Sequence, residues 1–179
     1  MQTDPHHHVV VDPAVRGTDR GVSLSLPKLG RFTADLAAET GRWQHLIRHA
    51  DDERVYVQIW DDEQVNAWLI CWSEDQDTGF HDHDDSGAGI TVISGRVRED
   101  RLALAGGTCS RELGPGHTFT VAPVAIHRVL HAGDGPAVTI HAYSPPLRRT
   151  GAYRVGPDGA LEREAQTYEV ELRAEPALA

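Results

Sequence analysis

Between residues 54 and 143 the chain is a succession of short runs in which apolar side chains alternate with polar ones, each closed by a turn signal. A period of two is the spacing of a strand with one face in a core, and no helical period intervenes between the runs. Residues 54–60 and 65–73 are rich in β-branched and aromatic side chains and flank the acidic turn Asp61-Asp62-Glu63, the pattern of a hairpin. Further strands are expected at 90–93, 96–102, 118–121, 127–131 and 137–143. They are punctuated by Ser94-Gly95, Gly106-Gly107, Gly114-Pro115-Gly116 and Gly133-Asp134-Gly135. Strands that follow one another without crossover helices exclude a parallel α/β sheet and leave a mainly β sandwich or barrel.

The N-terminal part reads differently. Over residues 27–50, Leu29, Phe32, Leu36, Trp43, Leu46 and Ile47 recur near spacings of three, four and seven, which predicts two short amphipathic helices, with Thr33 as a start and Gly41 as a stop. Residues 1–26 mix Pro, Gly and Asp with Val9-Val10-Val11 and the cluster His6-His7-His8, and are expected to form a flexible arm. The remaining 27–179 make one domain, since the length suits a single core and no repeat or linker is visible.

The chain carries 27 Asp+Glu against 17 Lys+Arg, a net charge of −10. Such a surface disfavours nucleic acid and anionic membranes, both of which need a basic face, so small-molecule partners are expected. No apolar run approaches the roughly 20 residues of a spanning helix, and no signal-peptide pattern opens the sequence, which makes a cytoplasmic protein the expectation. Cys71 and Cys109 form no CxxC pair and read as reduced thiols.

Eleven histidines are present. His81 and His83 flank Asp82, and on a strand residues i and i+2 share a face, so both imidazoles enter the same space. A pair of surface histidines in an acidic loop is the competing reading. His127, opening a later strand, supplies a third neutral ligand, and two histidines from one strand with one from another leave coordination positions open for substrate. The set resembles a cupin metal site, although Ala88 stands where the usual cupin glutamate is expected. On the last strand Thr139, His141 and Tyr143 alternate on one face. If that face looks inward, Thr139 can set the tautomer of His141, which in turn orients the Tyr143 hydroxyl toward a metal.

Taken in order, Leu69-Ile70-Cys71-Trp72, His81-Asp82-His83, Ser94-Gly95, His127-Arg128-Val129, Pro136-Ala137-Val138 and His141-Ala142-Tyr143-Ser144-Pro145-Pro146 resemble the cysteine dioxygenase family of thiol dioxygenases. The resemblance covers roughly residues 51–146. It implies a single jelly-roll-like cupin β-barrel with short N-terminal helices. It further implies Fe(II) on His81, His83 and His127, and a small thiol oxidised to its sulfinic acid by both atoms of O2. Thr139, His141 and Tyr143 then take the places of the family's Ser-His-Tyr line beside the iron, and Trp72 lines the inner wall, a role that a core tryptophan also explains.

Two departures concern substrate and modification. Many animal members carry a cysteine near Ala88 that forms a thioether with the active-site tyrosine, so Tyr143 is expected to stay unmodified. In the family's Tyr-x-Arg segment the arginine holds the substrate carboxylate, whereas this chain reads Tyr56-Val57-Gln58, and an amide does not replace a bidentate guanidinium. Gln58 resembles the bacterial 3-mercaptopropionate dioxygenases, which use a later arginine; Arg148 and Arg149 are the candidates, against a reading as plain surface charges. Cysteine is the first substrate to consider, with 3-mercaptopropionate or a bulkier thiol such as ergothioneine as alternatives. A non-catalytic metal-binding cupin is the further alternative.

Overall fold

Alternation along the strands decides which side of each meets the core, and two of them have both sides covered. The computed structural model describes residues 23–103, 107–157 and 160–168. Helix α1 (Leu26–Ala38), helix α2 (Thr40–Trp43) and a 3-10 turn (Gln44–Leu46) precede the strands. These are β1 (Val55–Asp61), β2 (Asn66–Trp72), β3 (His81–Asp82), β4 (Gly87–Ser94), β5 (Arg96–Leu102) and β6 (Thr108–Leu113). There follow β7 (Thr118–Val121), β8 (His127–Ala132), β9 (Ala137–Ser144), β10 (Arg149–Val155) and β11 (Leu161–Thr167). They form two antiparallel sheets, ordered β1-β2-β9-β4-β7 and β11-β10-β3-β8-β5-β6.

Every residue of β2 and β9 is buried. Trp68, Ile70 and Trp72 of β2 and Tyr143 of β9 join Val97, Leu113 and Val129 of the second sheet in the core between the sheets. The alternate residues Ala67, Leu69, Cys71, Val138, Ile140 and Ala142 pack instead with Leu29, Leu36 and Trp43 of the helices. Covering both faces removes each of these side chains from water, worth about 1.5–3 kcal/mol for every fully buried large aliphatic. The helix sits this close because Gly89 lacks a side chain: a Cβ there would lie 2.5 Å from Thr33 Oγ1.

The chain passes from one sheet to the other at Gly95, whose φ of 68° and approach to the Pro136 carbonyl leave no room for a Cβ. The mainly β, jelly-roll-like architecture is therefore as expected. Among the described residues no helix is long and apolar enough to cross a membrane.

Several local expectations are corrected. Helix α1 starts from Ser25 with a proline in its first turn, not at Thr33, which is buried mid-helix and donates its hydroxyl to the Leu29 carbonyl at 2.8 Å. Gly41 lies inside α2 and stops nothing. The arm expected over 1–26 falls outside the described residues up to 22, whereas the Leu24 amide already donates to Ser144 Oγ at 2.8 Å. The exposed strand β6, which carries Cys109, and the hairpin β10–β11 are additions to the expected strands. Both β6 and β11 are polar and largely exposed, so they carry little of the alternation by which strands are read.

Candidate metal centre

β3 is only two residues long, yet it is held from both sides. His81 pairs in register with His127 of β8, and the same strand pairs with β10 through Gly151 and Ala152. Asp82, between the two histidines, points away from them. It accepts a bidentate hydrogen bond from Arg163 (2.7 and 2.9 Å) and one from the Tyr153 hydroxyl (2.6 Å). The guanidinium and phenol hold its carboxyl far below the usual range although burial works the other way. Asp82 thereby anchors the His81-Asp82-His83 segment to the hairpin, and the Asp84 amide closes the next turn on the same carboxylate at 2.8 Å.

The three imidazoles converge as the register requires. Nε2 of His83 is 3.2 Å from Nε2 of His81 and 3.3 Å from Nε2 of His127, and all three residues are buried. His81 Nδ1 donates to the Gly79 carbonyl at 3.0 Å and His127 Nδ1 to the Glu99 carboxylate at 3.2 Å, which leaves their Nε2 lone pairs facing inward. Burial, reinforced by the neighbouring imidazoles, holds His83 and His127 well below the ordinary histidine range, so they are neutral donors. Three imidazole nitrogens in this arrangement fit a cation, since metal–nitrogen bonds of about 2.1 Å at right angles set the nitrogens about 3 Å apart.

Glu99 escapes the sequence reading. It is fully buried and also accepts from Arg101 at 2.7 Å and Arg111 at 2.6 Å, so its charge is compensated while one oxygen orients His127. Its sequence signal is slight, a carboxylate on the inward alternation of an otherwise polar strand.

Thr139, His141 and Tyr143 do face inward, and Tyr143 lies against His83 with ring centroids 5.0 Å apart. The Tyr143 hydroxyl reaches His141 Nδ1 at 3.4 Å. The expected Thr139–His141 hydrogen bond does not form. Thr139 Oγ1 instead accepts the Trp72 indole N–H at 2.9 Å, because a buried indole needs an acceptor and a threonine hydroxyl is too short to span two residues along a strand. Trp72 is fully buried in the core between the sheets, its ring 6.2 Å from that of His141. Beneath it lies buried Arg54, which the sequence reading also passes over, with its guanidinium 5.0 Å from the Trp72 ring and Nη1 on the Asp77 carbonyl. Burial first, and then the charge of Arg54, push His141 down to about 3. Ala88 sits directly across from Tyr143 in the β4–β9 ladder, so the residue facing the phenol is not a cysteine.

Tyr56 packs on the inner core, and Gln58 lies opposite Trp68. A cavity of about 850 Å³ opens outward from His83, and both Arg148 and Arg149 line it. Both are exposed, and Arg149 is paired with Asp84 at 3.1 Å. His131 is a structural residue, donating to the Gly135 carbonyl at 2.7 Å, and His45 and His49 are exposed.

A family model described as cysteine dioxygenase type I matches residues 31–155. Cysteine dioxygenase type 1 of Danio rerio is 26% identical over 105 residues, 52% of each chain. The Bos taurus protein of the same name is 25% identical over 99 residues, 50% of each. The chain thus spans about half the length of the curated relatives it matches. Among solved structures, TT1209 from Thermus thermophilus superposes with a TM-score of 0.52 at 18% identity, covering 57% of this chain and 93% of that one. An uncharacterized conserved protein with a double-stranded beta-helix domain from Klebsiella pneumoniae gives 0.51 at 14% identity, covering 69% and 94%. These two show the fold alone.

Proposed function

Because the chain belongs to the cysteine dioxygenase type I family, we propose that it is a thiol dioxygenase that holds Fe(II) on His81, His83 and His127 and oxidises a small thiol to its sulfinic acid. The observation that carries this reading is the convergence of three buried histidines next to a buried tyrosine. Iron held there by His81, His83 and His127 would supply Lewis acidity that favours the thiolate form of the substrate, and redox chemistry toward O2. In the net reaction sulfur loses four electrons, O2 gains them, and both oxygen atoms end in the product.

The chain's own residues prepare the setting. His141, neutral because it is buried near Arg54, is available to accept from the Tyr143 hydroxyl and so aims that phenol. Trp72 and Thr139 satisfy each other, which keeps a polar pair in the wall without drawing water. Trp68 packs edge-on against Tyr143 at 5.6 Å and stiffens its ring. Tyr56, Gln58, Trp72 and Arg148 are the residues proposed to meet substrate. Cysteine is the first thiol to try, with 3-mercaptopropionate and ergothioneine as alternatives.

The test is anaerobic loading with Fe(II), followed by an oxygen electrode and mass spectrometry with a thiol panel. Oxygen uptake matched by a product two oxygen atoms heavier is expected, and Tyr143→Phe should lower the rate while leaving iron content unchanged. Stoichiometric iron with no oxygen consumed by any thiol would defeat the reading.

A further inference from the structure

The cavity above the metal centre has its own chemistry. Its floor is His83, an almost fully buried imidazole whose Nδ1 has no hydrogen-bond partner among the described residues. Its rim is built from two turns and one segment. The β1–β2 turn brings Asp61, Asp62 and Glu63, and the β3–β4 turn brings Asp84 and Asp85. The segment after Pro146 brings Arg148 and Arg149. Five carboxylates therefore face two guanidiniums.

The two cations do not offset that excess. Arg149 is held by Asp84 through Nε and Nη2 at 3.2 and 3.1 Å. Arg148 is exposed, and its field falls on Asp61. Arg163 reaches Asp84 from outside the cavity at 3.2 Å and is committed mainly to Asp82. Asp62 is tied into its own turn, accepting from the Gln64 and Val65 amides and the Trp60 indole N–H at 2.8 Å each. Burial first, and then the neighbouring Asp62, push the Asp61 carboxyl upward against the opposing charge of Arg148.

The strands behind it supply no replacement: neither Gln58, which is neutral, nor Arg54, whose guanidinium is buried against Trp72, is among the residues that line the cavity. A carboxylate entering this cavity meets a net excess of like charge at the rim, whereas an ammonium group is drawn to it.

We propose that this mouth favours thiols bearing an ammonium group and no free carboxylate, so that aminothiols are preferred over the carboxylate-bearing thiols that the family resemblance puts first. The proposal rests on the thiol dioxygenase reading for turnover but concerns the mouth, so binding and turnover are measured separately. The probes are cysteamine, cysteinamide, cysteine and 3-mercaptopropionate; cysteinamide differs from cysteine only in its neutralised carboxylate.

With Fe(II)-loaded protein, kcat/KM for cysteamine and cysteinamide should exceed that for cysteine by about tenfold, the effect of about 1.4 kcal/mol, with 3-mercaptopropionate lowest. Anaerobic calorimetric titration should rank the four thiols in the same order. The double variant Asp61→Asn/Glu63→Gln should reduce the cysteinamide-to-cysteine ratio several-fold, and added salt should shrink it in the unmodified protein. A preference for cysteine or 3-mercaptopropionate in the titration, or a ratio indifferent to the double variant, would overturn the proposal. Aminothiol binding without oxygen consumption would instead sink the dioxygenase reading and leave the selectivity standing.

Discussion

At the residue scale, Glu99 and His141 show how burial and a single partner set the state of an imidazole. Glu99 fixes the His127 ring through Nδ1, and it is itself held by Arg101 and Arg111. Glu99→Gln keeps the side-chain shape but removes the charge, and it should weaken metal binding about 10–100-fold, read by chelator competition. His141 is pushed down to about 3 from an ordinary value of 6.5, and His83 and His127 are also lowered. Between those limits the unfolded chain binds protons that the fold refuses. The stability of the metal-free protein therefore rises with pH through this window, is fully present above 6.5, and is lost progressively as pH falls toward 3. Urea midpoints measured at a series of pH values should show this slope, and His141→Phe should flatten it. Ala88, opposite Tyr143, offers the phenol no thiol to couple to, so the isolated protein should have its unmodified mass.

At the element scale the deciding piece is β3, two residues that open the segment carrying His81 and His83, two of the three candidate ligands. So short a strand has little ladder of its own and depends on the Asp82 clamp to the β10–β11 hairpin. Arg163 is about one-third exposed, which places the pair between a surface and a buried ion pair. Arg163→Met should cost about 1–2 kcal/mol in chemical denaturation and lower metal affinity by more than that loss alone explains, because the His81 and His83 rings lose a common anchor. Equal metal affinity in the variant would show that the hairpin is dispensable to the site. The same element explains a gap in the sequence reading. His81 and His83 are legible as a pair on one face, but nothing in the residues after 146 announces the hairpin that holds them, since its side chains are mostly polar and exposed.

At the scale of the whole molecule, the site exists only where the two sheets meet. β3 and β8 of one sheet position the three histidines, and β9 of the other supplies Thr139, His141 and Tyr143. A ligand that binds this assembled set and not the unfolded chain stabilises the entire fold by mass action, about 2.7 kcal/mol at one hundred times its dissociation constant. Fe(II) added under anaerobic conditions should therefore raise the Tm, a chelator should reverse the shift, and His83→Ala should abolish it. A metal-independent Tm would mean that the three histidines do not form a working site.

Alternation and turn chemistry are local properties, and they are enough to determine a mainly β sandwich or barrel and which residues of each strand share a face, including the pair His81 and His83 and the line Thr139, His141 and Tyr143. The order of the histidine motifs adds the family resemblance, which implies the jelly roll and the three metal-ligand candidates. Tertiary structure alone decided the partners. Thr139 answers to Trp72 and not to His141, His127 answers to Glu99, and Arg54 lies under the wall. The carboxylates of two distant turns likewise meet at one rim. Each of these joins residues far apart in sequence or depends on which buried donor lacks an acceptor, and such pairings are settled by packing and desolvation across the sheets, which no local pattern encodes.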